Sequence, residues 1–172
     1  MRRLLLLATV AIATGMLFVA PAAAAPPQNV TISISEVFHA SGPPFVTGDV
    51  TASGGVFGAA TTGSLESVSF RPVGSPRGPF PPPHFFEYTA VDHYTFDGGS
   101  FLITFQANCK FFGFDPATSQ VTVACAGNWR VNGGTGDYAL LKGTGKFTEL
   151  QQLADDLSGT GTVTEVGMMM TS

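Results

Sequence analysis

Apolar and polar residues alternate in short runs along most of the chain, and Gly, Pro, Asn and Asp separate the runs. A period of two is that of a strand with one buried face, and the separating residues are those that turns favour. Eight strands are predicted. In the first, 29–37, Val30, Ile32 and Ile34 alternate with Thr31, Ser33 and Ser35. The second, 46–53, has Val46, Val50 and Ala52 in phase, and the third covers 64–71. A Pro-rich stretch, 72–83, lacks the backbone donors of a central strand and reads as a long surface loop. The fourth strand, 84–96, places Phe86, Tyr88, Ala90, Tyr94 and Phe96 on one face, and Asp97-Gly98-Gly99 turns the chain after it. The fifth carries Phe101, Ile103, Phe105, Ala107, Cys109 and Phe111 in phase; the sixth carries Val121, Val123, Cys125, Gly127, Trp129 and Val131. The seventh and eighth are expected at 143–151 and 157–166 around Asp155-Asp156. Met168-Met169-Met170 then forms either an apolar tail against a barrel mouth or a frayed end.

The fifth and sixth strands predict a covalent link. The midpoint between Cys109 and Cys125 is Ala117, inside the turn that begins at Asp115-Pro116. A hairpin symmetric about that turn sets the two cysteines opposite one another, both on the apolar phase, and opposed antiparallel positions come close enough for a disulfide. The pair lacks the C-x-x-C spacing of a redox centre, which makes the expected role structural.

The N-terminus changes the count of what folds. Met1-Arg2-Arg3, an apolar run over 4–20 and Ala23-Ala24-Ala25 have the order of a secretory signal peptide, with residues 1–25 removed and 26–172 left as one β-domain. An apolar run of about 17 lies at the lower limit for a membrane span, and no second such run follows, so no membrane span is expected after cleavage. Export also favours pairing of the only two cysteines. Loss of Arg2 and Arg3 leaves few scattered basic residues against twelve acidic ones, a poor match to the clustered charge that nucleic acid requires. Two cysteines and three histidines show no metal spacing, so neither metal nor cofactor is expected.

One segment carries a family resemblance. Trp129 on its strand is followed by Gly133-Gly134-Thr135-Gly136-Asp137-Tyr138 and then by Gly143-Thr144-Gly145-Lys146-Phe147. It resembles the G-G-T-G-x-Y/F…G-x-G segment of the allene oxide cyclase and dirigent barrels and of related exported bacterial proteins. The resemblance implies an all-β domain made of a single eight-stranded antiparallel barrel, with this segment chiefly structural. Glycine supplies positive φ and close chain passage. Thr135 and Asp137 are expected to bond local backbone amides, while Tyr138, Leu140 and Leu141 form a short turn plugging one barrel end. The spacing fits neither a P-loop nor G-x-G-x-x-G. An immunoglobulin-like sandwich is the alternative fold, but the two cysteines lie too close in sequence for its inter-sheet bridge.

An eight-stranded barrel is either filled by side chains or holds one small ligand. Its polar residues on the apolar phase are therefore the candidates for chemistry. Glu36 follows Val30, Ile32 and Ile34 in step, Asp92 interrupts the aromatic row of the fourth strand, Glu66 shares phase with Val68 and Phe70, and Glu165 with Val163. A carboxylate in an apolar cavity has a raised pKa and can act as acid or base. Asp92 and Glu36 are the candidate catalytic residues, with rim positions, a bulge or pairing of Asp92 with Arg71, Arg130 or Lys110 as the structural alternatives. Phe86, Tyr88, Tyr94, Phe105 and Trp129 are the candidate ligand-binding residues. His84 and His93 read as surface residues.

Three functions from different classes follow. The first is an exported barrel binding a small apolar molecule or a surface partner without catalysis. The second is a cofactor-free cyclase or stereochemical guide, as the resemblance implies. The third is a structural or adhesive protein working through its outer face and Pro-rich loop, the latter able to dock as polyproline helix. An open interior with Asp92 or Glu36 inside favours the first two, and one filled with Phe and Trp favours the third.

Overall fold

The computed structural model describes residues 25–77 and 85–172. Eight strands follow in chain order: β1 (Gln28–Phe38), β2 (Val46–Ser53), β3 (Thr61–Arg77), β4 (Phe85–Phe96), β5 (Gly99–Asp115), β6 (Gln120–Gly134), β7 (Leu141–Ala154) and β8 (Gly159–Thr171). Each pairs antiparallel with the next, and β8 pairs back onto β1 from Gln28↔Met169 to Phe38↔Gly159. The predicted eight-stranded antiparallel barrel is thus the observed fold, and closure leaves no sheet edge open along the ring.

Alternation decides what faces the interior. Val30, Ile32 and Ile34 of β1 are buried while Thr31, Ser33 and Ser35 face out. On β8, Gly161, Val163 and Glu165 are buried while Thr160, Thr162 and Thr164 are exposed. These hydroxyl-bearing outer rows are the reverse of a lipid-facing barrel, whose outer band is apolar. Among the described residues no helix is long and apolar enough to cross a membrane.

One end of the barrel is closed. The one-turn 3-10 helix Gly55–Phe57, between β2 and β3, and its counterpart Gly136–Tyr138, between β6 and β7, carry Phe57 and Tyr138 onto Phe96 and Phe101. Ring centroids in this group lie 5.3 to 6.1 Å apart, within the range of favourable aromatic contact. Of the predicted plug, Tyr138 and Leu141 are buried, whereas Leu140 faces solvent. Thr135 does not cap its own turn; its Oγ1 accepts from the Ser100 backbone N–H across the sheet at 3.2 Å. Above the plug, Trp129 fills the interior, donating its indole N–H to the Lys146 carbonyl at 3.1 Å. Its ring covers Gly145 and Gly167, where any Cβ would overlap it.

Cys109 and Cys125 are opposed in the β5–β6 register and joined, with Cα atoms 4.0 Å apart. Both are buried on the inner face.

Several local expectations are corrected. β3 runs to Arg77, not Arg71, and Pro72 stands opposite Tyr88 within it. Proline is tolerated because β2 pairs with β3 only as far as Glu66, which leaves the later part of β3 with β4 alone. Val68 bulges between Ser67 and Ser69, and the phase shifts there. Leu65 and Ser67 point inward and Glu66 and Val68 point out, and the bulge then returns Phe70 to the mouth. Met168–Met170 is neither tail nor frayed end: β8 continues through it, and Met169 is fully buried. Residues 1–24 of the predicted signal, and 78–84 with the second half of the Pro-rich loop and His84, lie outside the described residues.

Candidate functional site

The end of the barrel opposite the aromatic plug opens into a cavity of about 580 Å³. Phe38 and Phe45 line it from β1 and the β1–β2 connection, Phe70 from β3, Phe86 from β4, Phe111 from β5 and Leu153 from β7. Alternation carries Phe38, Phe86 and Leu153 there at the ends of β1, β4 and β7, while the bulge at Val68 returns Phe70 to the same side. A largely apolar concavity of this size is what a small organic molecule occupies in a protein.

Below the mouth the lining changes character. Phe38, Val46, Phe70, Tyr88 and Gln151 border both the mouth and a smaller space of about 40 Å³. Around that space stand four carboxyl groups from four strands: Glu36 of β1, Asp92 of β4, Glu149 of β7 and Glu165 of β8. All four residues are buried, Glu165 completely. Among the described residues no lysine, arginine or histidine lines this floor.

The donors at the floor are neutral. The Tyr94 hydroxyl donates to Glu165 Oε1 at 2.5 Å, and the Tyr88 hydroxyl donates to Glu149 Oε2 at 2.8 Å. Gln151 donates its amide to Glu149 Oε1. Ser67, opposite Asp92 in the β3–β4 register, hydrogen-bonds its carboxyl. Three acceptor positions remain without a partner: Glu36 Oε2, Asp92 Oδ1 and Glu165 Oε2. Buried polar atoms are nearly always bonded in folded proteins, so three orphans in one space mark it out.

Burial dominates the acid strengths. It raises Asp92 to about 7, opposed by the Ser67 hydrogen bond and assisted by the nearby Glu149. It raises Glu165 to about 8, opposed by the Tyr94 hydrogen bond and assisted by Asp92. Glu36 is pushed well above the ordinary carboxyl range by burial and by Glu149 and Asp92. Glu149 is raised less freely, because Gln151, Tyr88 and Glu36 all hydrogen-bond it. Burial and the adjacent carboxylates also raise Tyr88 and Tyr94, which keeps both as hydroxyl donors. Near neutral pH the floor therefore holds carboxyl groups in both protonation states, and these can exchange protons with whatever enters.

Of the residues singled out from sequence, Asp92 and Glu36 meet at this floor, joined by Glu165. Asp92 pairs with none of the three basic residues considered for it; Ser67 takes that place. Glu66 lies on the outer face and is no part of the site. Tyr88 spans mouth and floor, Phe86 lines the mouth, and Tyr94 and Phe105 line the floor. Trp129 lines neither, being packed deeper over its glycines. His93 is half-buried on the other phase of β4, and His39, at the mouth, bonds Thr47 at 2.9 Å. Glu149, Gln151 and Ser67 went unrecognised. The signal for Glu149 was its step with Phe147, and with Cys125 across the β6–β7 register. Leu150 beside it is exposed, so on β7 polarity does not report the buried face.

A larger but shallow concavity of about 1020 Å³ lies across the outside of β5–β8 and β1, walled by Thr31, Thr104, Gln106, Asn128, Arg130 and Lys146 among others. Among the described residues it gathers no buried orphan groups. Among the described residues no group of His, Cys, Asp and Glu is arranged to hold a metal ion. Compared with known proteins, the chain matches no family model, no curated protein and no solved structure at a significant level.

Proposed function

We propose that this chain is an exported small-molecule-binding barrel that takes an apolar ligand through its open mouth. The observation that carries this reading is the 580 Å³ apolar cavity at one end of a barrel plugged at the other. Apolar burial of a ligand at about 25 cal/mol per Å² is the driving force available there. The export signal read over residues 1–25 and the disulfide both fit an oxidising compartment. The test is fluorescence of the neutral probe N-phenyl-1-naphthylamine. Wild-type chain should bind it saturably at one site, and Phe86→Arg, which puts a charge in the mouth, should abolish the signal. Equal enhancement by both proteins would contradict the reading.

A second reading, a cofactor-free isomerase or cyclase like those of the families its Gly-rich segment resembles, is favoured by one observation. Asp92 and Glu165 titrate near neutrality at the cavity floor, where an acid or base is most effective. Turnover of a bound compound that Asp92→Asn abolishes while binding persists would establish it. Turnover unchanged in Asp92→Asn would remove Asp92 from that role.

A further inference from the structure

The floor of the cavity is rich in acceptors and short of donors. Every neutral donor there, from Tyr88, Tyr94, Gln151 and Ser67, is already engaged. The atoms left over are oxygens, one each on Glu36, Asp92 and Glu165, all on residues more than nine-tenths buried. They come from three strands, β1, β4 and β8, and border a space of about 40 Å³. That volume suits one water-sized group, too small for a whole organic molecule, and it joins directly to the apolar mouth.

We propose that this space is the head-group site for an alkyl- or arylalkyl-ammonium ligand, whose three N–H donors meet Glu36, Asp92 and Glu165 while its apolar body lies in the mouth. The inference rests on the small-molecule reading above and adds the class of ligand. A buried negative charge without a counter-charge is strongly unfavourable, and among the described residues no basic side chain supplies one at the floor. A cationic head supplies charge and donors together, and charge-assisted hydrogen bonds are about twice as strong as neutral ones. A carbonyl head accepts only from the protonated acids, so its binding would weaken as pH rises through the values of Asp92 and Glu165, the opposite of the trend for a cation.

Binding is then coupled to protons. The titratable groups facing the head are Glu36 from β1, Asp92, Tyr88 and Tyr94 from β4, Glu149 from β7 and Glu165 from β8. β3 contributes Ser67, β2 Val46 and β5 Phe105, none of which titrates, and Cys109 and Cys125 are joined in the disulfide. Since Asp92 and Glu165 titrate at about 7 and about 8 and an alkylammonium, like lysine, only near about 10.4, a cation should bind more tightly as pH rises from 6 to 8.5, displacing protons as it enters.

The experiment is calorimetry on the disulfide-intact chain with octylammonium, 1-octanol, 2-octanone and octanoate at pH 6 and 8.5. At pH 8.5 octylammonium should bind about tenfold or more tighter than 1-octanol, and the margin should shrink at pH 6. Glu165→Gln should remove most of that margin while leaving 1-octanol unaffected, and Asp92→Asn provides the same test should the first variant not fold. Equal binding of amine and alcohol, or tighter binding of the ketone or the carboxylate, overturns the head-group assignment and leaves the apolar cavity standing. An amine preference unchanged in both variants also overturns it, by placing the cation elsewhere. Failure of all four compounds to bind rejects the cavity reading with it.

Discussion

Tyr94 holds one oxygen of Glu165 at 2.5 Å and leaves the other without a partner, so a fully buried carboxyl is only half satisfied by the fold. Removing the hydroxyl should cost more than the bond itself, because both oxygens are then stranded. Tyr94→Phe is expected to destabilise the barrel by about 1–3 kcal/mol and to raise the Glu165 pKa further, since that hydrogen bond is what lowers it. Urea denaturation and carboxyl-carbon NMR titration check the two parts. A variant as stable as wild type would show that the bond carries no weight.

The same cluster sets a pH dependence of folding. Asp92 and Glu165 have their acidities weakened in the folded chain, to about 7 and about 8. Between their unfolded values, at about 4, and those folded values, the native state keeps protons that the unfolded state has released. Their contribution is intact below about pH 4 and is lost as pH rises through about 7 to 8. Every tenfold weakening of a buried acid corresponds to about 1.4 kcal/mol. Melting temperature should therefore be higher at pH 5.5 than at pH 8.5, and Glu165→Gln should flatten the slope. A slope of opposite sign would contradict the burial of these acids.

The strands that meet Trp129 tolerate no added carbon. Gly145→Ala or Gly167→Ala places a methyl group in the indole and should destabilise by about 1–3 kcal/mol. Trp129 is the only tryptophan, so its own fluorescence reports both the unfolding and any displacement of the ring. Wild-type emission and stability in both variants would contradict the packing.

The Cys109–Cys125 bridge closes a loop with a sequence separation of 16. Loop-closure entropy assigns it about 3 kcal/mol. Replacing both cysteines by serine should lower the denaturation midpoint accordingly with little change of fold by circular dichroism. No change in midpoint would remove the bridge from the account of stability.

How much of this could be read from the chain depended on how regular each strand is. β4 and β5 keep a strict alternation, with Asp92 the one charged residue in their inner rows, and those rows, the turn between them and the cysteine pairing all fall where alternation puts them. β3 broke the rule because the bulge at Val68 returns Phe70 to the inner side, so Glu66, counted in phase with Phe70, faces out. β7 concealed half the floor: Glu149 and Gln151 are buried, and the exposed Leu150 between them inverts the usual relation of polarity to burial. Met169 in the core could not be distinguished from a tail, since its role depends on pairing with both β1 and β7. Whether the interior is open or filled depends on the sizes of side chains meeting at each level of the barrel. That is set by register between strands, not by any one strand's sequence.

The most direct test of an open, ligand-taking mouth is methyl NMR of the chain titrated with N-phenyl-1-naphthylamine. Shifts confined to Val46, Val123 and Leu153, which line the mouth, with Val166 and Met168 on the outer face unmoved, are the result predicted. Shifts at Val166 and Met168 with the mouth methyls silent would contradict it and place recognition on the outside of the barrel.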